Sequence, residues 1–246
     1  YSRSEEKLFN LKSLVKSFLF SKLEKKIFNR SNTKYIFFSQ NELKKALNVY
    51  ALNQKDCFVI KFPPFDVFRE FKQKKINFNY KNYLLFFGAF KKYKGIDNFL
   101  KIAENYSNNK LSFVAAGSDK DNFFKNKNIP KNLIIHDKFL SDNEVVFLIK
   151  NCQAILMPYK SASQSGIPPL AYALSKPIIA SNYSGVNEYI KHEHNGLIYN
   201  DDEELDKMIN LIFDKKLYNR LQKNMKSDSC PNLFSYERFN ESIIKL

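Results

Sequence analysis

No tryptophan occurs among the 246 residues, glycine appears only six times, and cysteine and histidine three times each. The shortage of glycine and tryptophan, set beside abundant Lys, Asn, Phe and Ile, is a composition bias and carries no functional reading. The other shortages do exclude something. Cys57, Cys152 and Cys230 are odd in number and scattered, so neither a disulfide framework nor a metal site is suggested, and a reducing cytoplasmic compartment fits. His136, His192 and His194 do not join them at ligand spacing, and the last two stand in KHEHNG, read as an exposed turn. No apolar run approaches the ~18 residues of a membrane span. The first residues resemble no signal peptide and include no initiating Met, so the chain is expected to begin inside a longer protein.

Acidic residues are also in the minority, 25 against 40 Lys and Arg, which leaves a net charge of +15. Polyanions are the partners that such a balance favours: nucleic acid, diphosphate compounds or an acidic membrane surface. A lysine-rich solvated surface is the plain alternative. No zinc spacing or ribonucleoprotein motif accompanies the charge, so nucleic acid is set aside.

What is present is enough for a packed core. Apolar residues make up 44% and aromatic residues 15% of the chain, too much for wholesale disorder. The length suits one large or two modest domains. Leu8, Leu11, Val15, Phe18 and Leu19 recur at helical intervals and predict an amphipathic helix over 7–30, able to lie on a sheet or on a membrane surface. A strand is expected at 33–39. The Ser39-x-x-Glu42 capping box should then start a helix to about Val49. A second strand at 56–62 ends at Pro63-Pro64, and the aromatic, charged stretch 65–82 reads as an interdomain linker.

Beyond it a regular alternation begins. Strands are expected at 83–87, 111–116, 133–136, 153–157, 177–180 and 196–199. Helices are expected near 95–106, 142–150, 165–174, 185–191, 202–213, 215–227 and 235–246. Short apolar runs alternating with helices mean βαβ units and a parallel sheet with helices on both faces. Ligands of such sheets bind beyond the carboxyl ends of the strands, and two loops fall there. In FFGAFKKYKG, Gly88 permits a tight turn and Gly95 a close approach, while Lys91, Lys92 and Lys94 crowd a helix start. Cations there oppose the helix dipole unless an anion sits among them. In SASQSGIPPL the Ser165, Gly166 and Ile167 amides stand before a helix carrying Pro168, where proline sacrifices no hydrogen bond. A solvated lysine loop and a helix capped by Ser165 are the plain alternatives. Together the two loops point to a nucleotide-diphosphate site.

These residues resemble a known family, the GT-B glycosyltransferases related to the retaining group 1 (family four) enzymes. FFGAFKKYKGIDNFLKIAE is similar to the family's strand–loop–helix with F-x-G and K-G. VAAGSD resembles its second-strand glycine, here Gly117. LSDNEVVFLIKNCQAILMPY, ALSKPIIASNYSGVNEYIKHEHNGLIYNDDEEL and FSYERFNESI resemble later segments in the same order, so the likeness spans most of 33–246. The resemblance implies two Rossmann-like domains. Residues 83–228 would form the nucleotide-sugar-binding domain after the 65–82 linker. Residues 1–64 would be the remnant of an N-terminal acceptor-binding domain to which a C-terminal helix, 229–246, returns.

The activity implied is a hexosyl-type transfer from a nucleotide-diphosphate donor to a polysaccharide or lipid-linked acceptor in cell-surface glycan (capsule or lipopolysaccharide) synthesis. The chain alone, lacking most of the acceptor half, is expected to be inactive. Lys94 would neutralise the leaving diphosphate, with Gly88, Ala89, Lys91, Lys92, Gly95 and Gly117 around it and Ser165, Gly166 and Ile167 supplying amides. The family's basic residue after the first glycine is Ala89 here, and its Glu-x7-Glu pair falls on Ala162 and Leu170. Ser163, Gln164 and Tyr172 are therefore the candidate hydroxyl-binding substitutes. Glu188 matches a family glutamate, but standing one helical turn from Ser184 it is read first as a cap of its own helix. No metal or other cofactor is expected, since lysines supply the positive charge. The protein is expected to be cytoplasmic, with peripheral attachment to an acidic membrane. A non-catalytic degenerate scaffold or nucleotide-sugar-binding module, and a sugar-nucleotide epimerase, are the competing readings.

Overall fold

Runs such as LLFF and AILM are apolar without alternation, so strands made from them need cover on both faces. A parallel sheet between two helix layers provides it. The computed structural model describes residues 33–50, 52–60, 65–76, 82–108, 111–161, 165–183, 185–226 and 236–244. The chain divides into two units, Tyr1–Lys61 with Glu237–Leu246, and Phe62–Tyr236. In the first unit β1 (Tyr35–Phe37), α1 (Gln40–Val49) and β2 (Cys57–Val59) form a β-α-β turn of chain, with Tyr35 opposite Cys57 in a parallel pair. The Ser39 hydroxyl accepts the Glu42 amide at 3.0 Å and starts α1 where the capping signal places it. The helix expected over 7–30 lies outside the described residues.

The second unit runs β3 (Leu84–Phe87), α2 (Ile96–Asn105), β4 (Phe113–Gly117), β5 (Leu133–Asp137), α3 (Asp142–Asn151), β6 (Ala154–Met157), α4 (Ile167–Ala173), β7 (Ile178–Ser181), β8 (Gly196–Tyr199), α5 (Asp202–Leu211) and α6 (Lys215–Lys226). A last helix, α7 (Tyr236–Ile244), falls from Glu237 onward in the first unit. The sheet order is β5-β4-β3-β6-β7-β8, and every pairing is parallel. Each of the six expected strands is present within two residues of its predicted bounds.

Alternation along β3 divides the core in two. Tyr83 and Leu85 pack with Val145, Leu148 and Ile149 of α3 and Leu170 of α4. Leu84 and Phe86 point the other way, onto Phe99 and Ile102 of α2, Ile209 of α5 and Leu221 of α6. The apolar positions of α2 (Ile96, Phe99, Leu100, Ile102 and Ala103) fall on one stripe, which is why that helix settles on the sheet.

Two expectations differ from the structure. The helix predicted at 185–191 is a single 3-10 turn, Val186–Glu188. Gly185 enters it at φ +95°, and the Asn195 side chain closes the following turn by accepting the Lys191 amide at 2.7 Å. The described segment 65–76 of the stretch read as a linker belongs to the second unit. It contains a 3-10 turn, Asp66–Arg69; Phe65 and Phe68 lie against the core, Ile76 is buried, and Arg69 Nε donates to the Ala173 carbonyl at 2.8 Å. Phe65 and Phe68 cover the core instead of building a longer element of their own.

Candidate functional site

The strand order reverses between β3 and β6, the first pair to be neighbours without being consecutive. At such a switch point the loops that leave adjacent carboxyl ends diverge to opposite faces and leave a crevice between them. Both glycine loops identified in the sequence emerge here. Leu84 pairs with Ala154 and Leu85 with Ile155, so loop 88–95 after β3 and the loop after β6 start side by side.

Backbone contact joins them. Gly95, at φ +72°, is pressed against the second loop so closely that a Cβ there would stand 1.7 Å from the Pro158 carbonyl oxygen. The Tyr93 carbonyl accepts the amides of Lys160 at 2.9 Å and Ser161 at 3.3 Å. The Lys160 ammonium forms an ion pair with Asp97, in the first turn of α2. On the other side Gly117, at φ +151°, lies against Gly88, so close that a Cβ on Gly117 would be 2.0 Å from the Gly88 carbonyl oxygen. Gly88, Gly95 and Gly117 thus serve close backbone approach.

Lys94 sits inside this frame. Its Nζ is 3.3 Å from the position a Gly88 Cβ would take, and it has no hydrogen-bond or ion-pair partner among the described residues. Burial without a counter-charge lowers its pKa from the ordinary lysine value. Lys91 points elsewhere: its ammonium holds both Asp121 oxygens at 2.7 and 2.8 Å. Lys92 is exposed, and Ala89 contributes only backbone, its carbonyl accepting the Lys91 amide at 3.0 Å. Lys92 and Lys94 stand in a 3-10 turn, Lys92–Lys94, with Lys91 extended just before it, ahead of α2 and not in the helix itself.

In the second loop Ala162, Ser163 and Gln164 lie outside the described residues, as does Ser184. The Ser165 and Gly166 amides have no partner among the described residues, but the Ile167 amide, expected to be available, donates to Ser165 Oγ at 3.2 Å. Pro168 and Pro169 occupy the first turn of α4, where missing N–H groups matter least. Tyr172, a candidate for hydroxyl recognition, is buried among the core residues beside α3 and α4. Its neighbour Leu170, at the position of the family's second glutamate, is buried as well. Glu188 is half-buried in its 3-10 turn, where its amide donates to the Gly185 carbonyl. Tyr159 lies between the loops. Burial pushes its phenol up to about 12, with the Ser165 hydroxyl opposing the rise and the Tyr93 phenol adding to it.

Sequence reasoning passed over an Asp-x-Asp spelling, Asp119-Lys120-Asp121. Asp119 accepts the Phe123 and Phe124 amides at 2.6 and 3.0 Å, and Asp121 pairs with Lys91, so both carboxylates are engaged in holding the loop after β4. Among the described residues no group of three His, Cys, Asp or Glu is placed to hold a metal. His192 is in the expected turn and accepts the Ile198 amide at 3.0 Å. A separate cavity of about 220 Å³, lined by Asn98, Lys101, Tyr106, Asn200 and Asp206, opens between α2 and α5 and includes none of the predicted site residues.

A parallel sheet with helices on both faces and a crevice at the switch point makes this a Rossmann-like domain. Residues 67–228 match the model of the glycosyl transferases group 1, and the chain belongs to that family. It is 28% identical over 168 residues to an uncharacterized glycosyltransferase of Methanocaldococcus jannaschii, covering 64% of this chain and 45% of that protein. The chain thus spans less than half the length of that relative. Among solved structures it is similar to WaaG, a glycosyltransferase involved in lipopolysaccharide biosynthesis, at TM-score 0.73 and 16% identity, covering 98% of this chain and 70% of that one. It also resembles sucrose-phosphate synthase from Thermosynechococcus elongatus (TM-score 0.72, 16% identity, 93% and 60% covered). A third likeness is to Anabaena HepE in complex with UDP-glucose (TM-score 0.72, 15% identity, 93% and 67% covered). At these identities the likeness to the solved structures is one of fold.

Proposed function

We propose that the protein transfers a hexosyl group from a nucleotide-diphosphate donor to a polysaccharide or lipid-linked acceptor in the synthesis of cell-surface glycan. The observation that carries this reading is the Lys94 ammonium, unpartnered among the described residues and held over Gly88 where the two switch-point loops meet. A partly buried cation without a counter-ion is disfavoured, and a diphosphate would supply the missing charge. In this reading Lys94 neutralises charge that grows on the departing diphosphate, with exposed Lys92 adding field and the Ser165 and Gly166 amides donating to the phosphate oxygens. Such stabilisation of developing charge is the main electrostatic service open to a site of this kind. The family match and the fold likeness to HepE, whose structure holds UDP-glucose, support it.

A non-catalytic scaffold is favoured by one observation, the buried Leu170 where the family places a carboxylate. Melting temperature separates the two. UDP-glucose, ADP-glucose and GDP-mannose are each titrated into the protein and into Lys94→Ala. A ligand held by the native state alone, at 100 times its Kd, adds about 2.7 kcal/mol of stability. The expected result is a rise with at least one donor that Lys94→Ala abolishes. No rise with any donor sinks the enzyme reading.

The net charge of +15 further supports peripheral attachment to an anionic membrane. Among the described residues no helix is long and apolar enough to cross one.

A further inference from the structure

We propose that Asp97 and Lys160 are positioning residues whose ion pair sets the register of the two switch-point loops and thereby holds Lys94 in place. The inference rests on the donor-site reading of Lys94 and assigns the part that keeps the site aligned.

Lys94 lies between two residues that are both fixed to the second loop. On one side the Tyr93 carbonyl takes the Lys160 and Ser161 amides. On the other, Gly95 abuts the Pro158 carbonyl. The Lys160 side chain then crosses to Asp97, two residues beyond Gly95. The first loop from Tyr93 to Asp97 is therefore gripped by 158–161 through backbone and side chain, and the only long cation inside the grip is Lys94. Asp97 suits its position independently, because a carboxylate in the first turn of α2 complements the helix dipole. Lys160 has no such local reason to stand after β6; its ammonium is explained by Asp97 alone.

The pair is too exposed to matter much to folding, with 47% of the Lys160 and 35% of the Asp97 side chain accessible. Its consequence is geometric. A shift of 158–161 moves Tyr93 and Gly95, which it grips on either side, and Lys94 with them. Displacements of about 1 Å in a binding constellation are felt on the order of 100-fold in rate.

The test uses Lys160→Met, which keeps the stem and removes the charge, Asp97→Asn, the double variant, and Lys160→Arg, which keeps the pair. Calorimetric titration with UDP-glucose, ADP-glucose and GDP-mannose reads affinity, and denaturant melts read stability. Trace acetylation with acetic anhydride across pH, resolved lysine by lysine by mass spectrometry, reads the titration of Lys94 itself. The expected result is roughly tenfold weaker donor binding in each single variant. The double variant is no weaker than the worse single, as coupled partners require, and Lys160→Arg binds as the unaltered chain does. Melting is nearly unchanged, and the Lys94 labelling midpoint moves to higher pH as water reaches the ammonium.

Additive effects of the two single changes, or an unaltered Lys94 labelling profile with melting lowered instead, overturn the proposal. If the unaltered chain binds none of the three donors, the donor-site reading fails by itself. The labelling arm then still decides whether the pair holds Lys94.

Discussion

At the scale of single residues, the site depends on atoms that are missing. Gly95 combines a left-handed φ of +72° with a neighbour 1.7 Å from where a Cβ would be. A left-handed backbone alone costs a side-chain-bearing residue roughly 1–2 kcal/mol, and here the obstacle is a main-chain carbonyl that cannot rotate away. Gly95→Ala is expected to lower unfolding stability by more than about 2 kcal/mol in urea titration. Gly166→Ala serves as the contrast, since its added methyl would meet only the edge of Phe65 at an ordinary 3.4 Å. It should stay within about 0.5 kcal/mol of the unaltered chain. Equal effects of the two changes would show that the loops are not in contact at Pro158. Both loops were legible in the sequence as glycine-bearing bends; Gly88 and Gly95 do take left-handed backbone, whereas Gly166 takes an ordinary helical one at φ −74°. The resemblance to the family's K-G singled out Lys94, but that Lys91 is held away was not legible, since its partner Asp121 stands thirty residues on.

At the scale of elements, α3 shows how far local chemistry can specify a helix. Ser141 and Glu144 form a capping box: the Ser141 amide donates to Glu144 Oε2 at 3.0 Å, and Lys138 Nζ donates to Oε1 at 2.9 Å. The Ser141 amide first, then the Lys138 ammonium, hold the Glu144 carboxyl down at about 2. A carboxyl whose folded pKa lies below its unfolded value of 4.5 stabilises the fold above that value, and the contribution fades as pH falls toward about 2. The melting temperature should therefore drop across that window, and Glu144→Gln should lower it at neutral pH while flattening the acid slope. An acid limb as steep in Glu144→Gln as in the unaltered chain would place the effect elsewhere. The other end of α3 is finished by tertiary means. Lys176, buried, donates to the Lys150 and Cys152 carbonyls at 3.2 and 2.5 Å, satisfying groups that a helix leaves open. Nothing near Lys150 in the sequence announces that partner, and the same holds for Arg69, whose partner carbonyl at Ala173 lies about a hundred positions later.

At the scale of the whole molecule, the excess of cations is the property that a distant partner would feel. Surface potential of this sign attracts anionic headgroups over about one Debye length, ~8 Å at physiological salt. Sedimentation with phosphatidylglycerol vesicles is expected to carry the protein down at low salt and to release it as salt rises. Phosphatidylcholine vesicles should leave it in solution. Equal partition onto the two lipids would remove the membrane-attachment reading.

The amino-acid sequence by itself determined the strands, most helices, the fold class and the family. Apolar runs bounded by glycine, proline and capping residues are local signals, and six parallel strands between helices admit few arrangements. Only the tertiary structure decided which groups of the site act together: Lys94 left without a partner among the described residues, Lys91 spent on Asp121, Tyr172 sunk in the core, and Asp97 paired with Lys160. Those outcomes depend on contacts between residues 30 and 63 positions apart, and strand order, which no local stretch of sequence spells out, is what brings such residues together.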